Sequence, residues 1–95
     1  MRPLIRELLW DKRSIESIEH IARHRVTAQE VEEVCFNLQS LVFKRGTRYI
    51  VLGQTAAGRY LFVAVDRVRK SKGYVVTARS MDKKERRRYQ REVRL

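Results

Sequence analysis

Several scarcities bound this chain before any pattern in it is read. It has a single cysteine, Cys35, so no disulfide can close within the chain and a one-chain thiolate zinc site is excluded. A lone thiol fits a reducing compartment, and the expected location is the cytoplasm. One proline and four glycines in 95 residues leave no composition for a long flexible linker. No apolar run approaches the roughly 18–20 residues that cross a bilayer. The opening "MRPLIRELLWDKR" has too short an apolar run for a signal peptide. Acids are missing from one whole section, residues 41–65, which hold four Lys and Arg and no Asp or Glu.

The charge that is present lies unevenly. Residues 1–40 carry six cations and seven acids, and residues 66–95 carry twelve and four, so the net +11 lies entirely after residue 40. A near-neutral front and a basic back form an electrostatic footprint for nucleic acid or for an acidic protein partner. Insertion into a membrane surface is disfavoured, because the basic tail lacks a broad apolar face. A chain this short buries about 60–70% of its unfolded surface, enough for one thin core, so residues 1–95 are read as one domain.

The apolar pattern changes period near Leu41. Before it, Asp11 is placed to cap a helix, and Ile15, Ile18 and Ala22 follow at helical spacing. That helix should end near His24–Arg25. Thr27-Ala-Gln-Glu30 is a capping box that opens a second helix, with Val31, Val34, Cys35 and Leu38 as its apolar face. After Leu41, "LVF", "YIVLG", "YLFVAV" and "YVVTA" read as strands, the third of them central. Thr55–Gly58 predicts a tight hairpin and Arg69–Gly73 a longer one. Short connections require antiparallel neighbours. Asp82-Lys-Lys-Glu85 opens a C-terminal helix that runs to about Val93. The expected class is α+β: two N-terminal helices, three or four antiparallel strands with a possible extra strand at residues 4–9, and a basic final helix. The helices are expected to cover one face of the sheet.

Four segments, taken together, carry a family resemblance. Trp10-Asp11, "HIARHRVTAQEVEEV" (20–34), "RYIVLGQTAAGRYLFVAV" (48–65) and "VVTARSMDKKERRRYQ" (75–90) resemble the BrnT-type toxins of type II toxin–antitoxin systems. The shared pattern is Trp-Asp, a His-Gly-Val-Ser/Thr step before a Glu-rich helix, Gly-x-Thr/Ser-x-x-Gly-Arg in a hairpin, and Ser/Thr-Ala-Arg ahead of Glu-Arg-x-x-Tyr. Arg25 stands where the family has glycine, so the left-handed turn there must be made differently or be absent. The resemblance implies a RelE-like fold and a ribonuclease that inhibits translation. It also implies a cognate antitoxin as partner, with operator DNA reached only through that complex.

Candidate site residues follow from the chemistry of metal-independent RNA cleavage, which calls for no cofactor. A 2′-hydroxyl must lose a proton and a 5′-oxygen must gain one. An imidazole, ordinarily titrating near 6.5, suits either step, and His24 at the helix junction is the candidate. Glu85 is a second candidate base, or else the residue that fixes Arg79. Arg59 opens the central strand and Arg79 closes the next, so both lie toward one end of the sheet. If Val68 pairs with Tyr74, the two guanidiniums share a face and can clamp a phosphate; a slip of one residue separates them. Tyr89 lies on a stripe with Met81, Glu85 and Val93, and either packs on the sheet or stacks on a base. Lys83, Lys84, Arg86, Arg87, Arg88 and Arg91 are the expected nucleic-acid contacts. Their like-charged i, i+4 pairs are mutually repulsive until an anion or an acidic partner neutralises them. His20 and His24 share a helix face but lack further metal ligands, and Cys35 is read as core. The alternative to a nuclease is a non-catalytic basic module that binds nucleic acid or a partner.

Overall fold

The β-branched and aromatic runs after Leu41 fold as the strands that their composition predicts. The computed structural model describes residues 5–9, 18–69 and 72–93. Its strands are β1 (Glu7–Leu9), β2 (Leu41–Arg45), β3 (Arg48–Gln54), β4 (Tyr60–Arg69) and β5 (Lys72–Ser80). They form one five-stranded sheet in the order β1-β5-β4-β3-β2, antiparallel except for the parallel β1–β5 pair. The extra N-terminal strand is therefore present, and the most continuously apolar strand, β4, is central as expected. Gly46, with φ +63°, turns β2 into β3 in two residues. The helices are α1 (helical residues 18–22), α2 (Ala28–Phe36) and α3 (Lys83–Glu92).

Both capping boxes read from the sequence are formed. Thr27 accepts from the Glu30 amide while Glu30 accepts from the Thr27 amide, and Asp82 and Glu85 do the same at α3. The expectation that the helices cover one face is overturned. Strand alternation divides the core between two faces. Leu61, Val63, Val65, Val51 and Ala78 pack against Ile21, Val31, Val34 and Cys35 from the first two helices. Ile50, Leu52, Phe62 and Ala64 point the other way and are covered by Tyr89 of α3. β4 follows a two-sided apolar pattern because Leu61–Val65 are buried on both sides, whereas β5 buries Val75 and Ala78 on one face and is only half-buried on the other.

Three expected core positions also need correction. Ile18 and Ala22 are exposed, whereas Ile21 is fully buried. The register is set by the helix end: the Val26 amide donates to Ile21 O, which brings Ile21 and Val26 into the core together. Leu38 lies beyond the end of α2 and is 71% exposed. Trp10, Asp11 and Ile15 lie outside the described residues.

Candidate nucleic-acid interface

The junction between α1 and α2 turns without the glycine that such a turn favours. Arg25 adopts φ +59°, donates its amide to Ala22 O, and is followed by the Val26–Ile21 bond, which together make a Schellman-type helix end. The left-handed turn is thus kept, and an arginine carries it. An L-residue there costs about 1 kcal/mol relative to glycine. Arg25→Gly is therefore expected to raise unfolding stability by about 0.5–1 kcal/mol. A urea melt would register this as a higher midpoint at unchanged slope; an unaltered or lower midpoint would contradict it.

Arg59 is what holds this junction to the sheet. Its guanidinium donates to the carbonyls of His24 and Arg25 and to both oxygens of Glu30 at 3.2 Å. Those carbonyls are the unsatisfied acceptors of a helix C-terminus, and a guanidinium is a fitting partner for them. Glu30 is shared between this pair and its own capping box. The hairpin tip is tied a second time, by the Ala56 amide donating to Glu33 at 3.1 Å. Beside the junction, the exposed rings of His20 and His24 meet edge to face with centroids 5.4 Å apart. His20 Nε2 lies 3.0 Å from Thr77 Oγ1 on β5.

Arg79 does not join this cluster. The ladder continues to Arg69–Lys72, and pairs Asp66, not Val68, with Tyr74. A compensating bulge opposite Ala64 and Val65 then leaves Arg79 opposite Phe62 instead of Val63. That single-residue slip sends Arg79 to the α3 face while Arg59 stays on the α2 face. The predicted two-arginine phosphate clamp is therefore not formed. Arg79 instead lies 4.0 Å above the Phe62 ring and grips Glu85 with two bonds, at 2.8 and 2.9 Å. Glu85 holds the Arg79 guanidinium firmly in its charged form, raising its pKa. One Glu85 oxygen also accepts the Asp82 amide. A carboxylate engaged in this way fixes Arg79 and the start of α3, and is poorly placed to take a proton.

The cations of α3 divide by position around the helix. Tyr89, only 4% exposed, is the residue on which the helix sits, and burial pushes its phenol up. It meets Tyr60 edge to face, at 5.9 Å. The packing reading of Tyr89 holds and leaves its ring no room to stack on a base. On one flank Arg86 lies 4.1 Å above the Tyr60 ring; on the other, Arg88 lies 4.0 Å above Phe43 and reaches Glu92 at 3.4 Å. Gln90 donates to the Tyr60 hydroxyl at 3.4 Å, and this bond, with Arg86, draws the Tyr60 phenol below its ordinary value. Lys83, Lys84, Arg87 and Arg91 are exposed, and among the described residues no carboxylate pairs with them.

Sequence reasoning missed the aromatic partners. Phe43, Tyr60 and Phe62 looked like ordinary strand residues, and only the strand register shows that they share the face under α3. It also gave His20 no role beyond a weak metal ligand. The i, i+4 spacing to His24 was the available signal for a contact between the rings. Among the described residues no group of three or more His, Cys, Asp or Glu is placed to hold a metal ion. Cys35 is buried, and burial with the nearby Glu32 charge pushes its thiol up to about 12, so it is chemically quiet. No helix among the described residues is long and apolar enough to cross a membrane.

Comparison with known proteins places the fold. No family model matches the chain, and no curated protein does. Among solved structures it is similar to the crystal structure of the ribonuclease toxin BrnT of Brucella abortus, with a TM-score of 0.61. The two are 21% identical, and the similarity covers 81% of this chain and 97% of that one. At that identity the likeness establishes a shared BrnT-like architecture.

Proposed function

We propose that this chain is a ribonuclease toxin of a type II toxin–antitoxin pair, which binds RNA along α3 and inhibits translation by cleaving it. The observation that carries the reading is the outer face of α3, where Lys83, Lys84, Arg87 and Arg91 stand exposed without carboxylate partners among the described residues. Such a face repels itself until polyanion covers it. The architecture shared with a ribonuclease toxin supports the same reading, although fold alone does not specify chemistry. The antitoxin is expected to offer an acidic segment to the same cations, so that inhibition and substrate binding compete. Operator DNA would be reached only through that complex.

Cleavage needs no metal on this reading. His24 and its neighbour His20 are the proton-transfer pair, one taking the 2′-hydroxyl proton and the other giving a proton to the 5′-oxygen. The 2′-oxygen attacks phosphorus as the P–O5′ bond breaks, leaving a 2′,3′-cyclic phosphate and a 5′-hydroxyl. Arg59 and Arg79 are positioning residues: the first holds the junction that bears His24, the second holds Glu85 and the start of α3. His24, whose carbonyl accepts from Arg59, and the α3 N-terminus lie toward one end of the sheet. Arg59 and Tyr60 are adjacent, and the Met81 amide donates to Tyr60 O. A strand of RNA held on α3 can round that end.

A specific observation favours the second reading, a basic module that binds without cutting. The two arginines expected to clamp phosphate are each occupied by a carboxylate, on opposite faces. Incubation of the purified chain with single-stranded RNA in EDTA decides between them. The nuclease reading requires cyclic-phosphate ends, abolished by the His20→Ala/His24→Ala pair. Tight, salt-sensitive binding without any cleavage by the native chain would establish the binding module.

A further inference from the structure

The α3 face carries a feature that phosphate binding does not use. Three guanidiniums sit over three aromatic rings: Arg79 over Phe62, Arg86 over Tyr60 and Arg88 over Phe43, each 4.0–4.1 Å from the ring centroid. All three rings belong to the sheet face that α3 covers. Phe43 and Phe62 are separated by β3 and offset by two residues along the strands, so their rings stand roughly 12 Å apart. A guanidinium plane has two sides, and a ring can take only one of them. The groups stay accessible to solvent: the Arg79 and Arg88 side chains remain 35% and 39% exposed, and Arg86 is exposed.

Resting on the proposed RNA-binding function, we infer that these three stacked arginines are seats for the unpaired bases of single-stranded RNA. The ring beneath fixes each guanidinium, so little rotamer freedom remains to be lost when a base settles on top. A base offers a flat π surface of matching size, and stacking on arginine planes is a recognised mode for splayed single strands. Duplex RNA presents base edges and backbone, not faces, and cannot use these seats. An acidic peptide needs only the charge and would be served equally well by lysines. The outward cations Lys83, Lys84, Arg87 and Arg91 hold the backbone while the flanking arginines hold the bases.

The test separates planarity from charge. Fluorescence anisotropy is measured with a labelled, unstructured 2′-O-methyl octaribonucleotide, which cannot be cleaved, and with the same sequence as a duplex. Phe43→Leu/Arg88→Lys removes one stack and Arg86→Lys loosens another, each without changing net charge. Each variant is expected to weaken single-strand binding about tenfold, with the same slope of log K against log salt and little change for the duplex. Circular dichroism melts confirm that the variants fold, and Arg86→Lys, at a partly exposed ring, is the safer of the two. Native affinity in both variants would overturn the inference. So would a native chain that prefers the duplex, or variants that lose binding to an oligo-glutamate peptide but keep the octamer. A native chain that binds no RNA brings down the functional reading as well, whereas one that binds through these stacks without cutting leaves the seats standing.

Discussion

Gly53→Ala is expected to destabilise the fold by about 3 kcal/mol, combining overpacking with the loss of a buried hydrogen bond. A methyl built on Gly53 would lie 2.1 Å from Ser40 Oγ and 3.1 Å from both Ser40 Cβ and Val34 Cγ1. Ser40 is 1% exposed, and its hydroxyl donates to Val34 O at 2.6 Å near the end of α2. The added carbon must evict that hydroxyl or lift α2 from β3. Since α2 bears Glu30 and Glu33, lifting it would also loosen Arg59 and the hairpin tip. With a urea slope of about 1–2 kcal/mol/M for a chain this small, the midpoint should fall by more than 1 M. Gly46→Ala is the control: its φ is +63° but open space surrounds it, so only backbone strain of about 1 kcal/mol is expected. Ser40→Gly should rescue Gly53→Ala in part, giving a coupling of about 1 kcal/mol or more. A Gly53→Ala protein as stable as the native one would mean that α2 does not approach β3 this closely.

Local chemistry was legible in the sequence, and register was not. The capping boxes at Thr27 and Asp82 could be read because each is a contact between residues three apart, fixed once the helix forms. β4 stood out as central because burial on both sides leaves no polar alternation. The Met81–Glu85–Tyr89–Val93 stripe correctly gave the inner face of α3, since helical spacing alone decides it. The arginine clamp failed for the complementary reason. Whether Arg79 shares a face with Arg59 depends on the pairing around Lys72 and on one bulge near Val76, and strand composition is silent on both. The same blindness hid the arginine–aromatic stacks: Phe43 and Arg88 are 45 residues apart in sequence, and only a sheet with β2 on its far side brings them together. Gly53 could be recognised as part of a motif, but its reason, the approach of Ser40 and Val34, is tertiary.

Replacing both histidines of the edge-to-face pair is expected to lower the RNA cleavage rate by more than a hundredfold while leaving RNA affinity nearly native. General acid–base catalysis contributes about 10²–10⁴ per group, so either single alanine variant should already lose most of the activity. If the pair works as a unit, the double variant will fall little below the worse single one, because the second proton transfer has nothing left to assist. The two roles can then be assigned. A substrate whose 5′-bridging oxygen is replaced by sulfur leaves as a thiolate and needs no protonation. That substrate should restore the variant lacking the acid and leave the variant lacking the base impaired. Geometry gives each ring a different constraint: His20 is held by Thr77, and His24 sits at the helix end that Arg59 fixes through its carbonyl. Arg59→Lys should consequently impair turnover more than binding, since a lysine keeps the charge but cannot span Glu30 and two carbonyls at once. Thr77→Val, which removes the hydroxyl partner of His20 with little change in volume, should act in the same direction but more weakly. Full cleavage by the double histidine variant would remove this cluster from the chemistry and return the search for the acid and base to the Tyr60 side of α3, where Gln90 and Arg86 already draw a phenol toward ionisation.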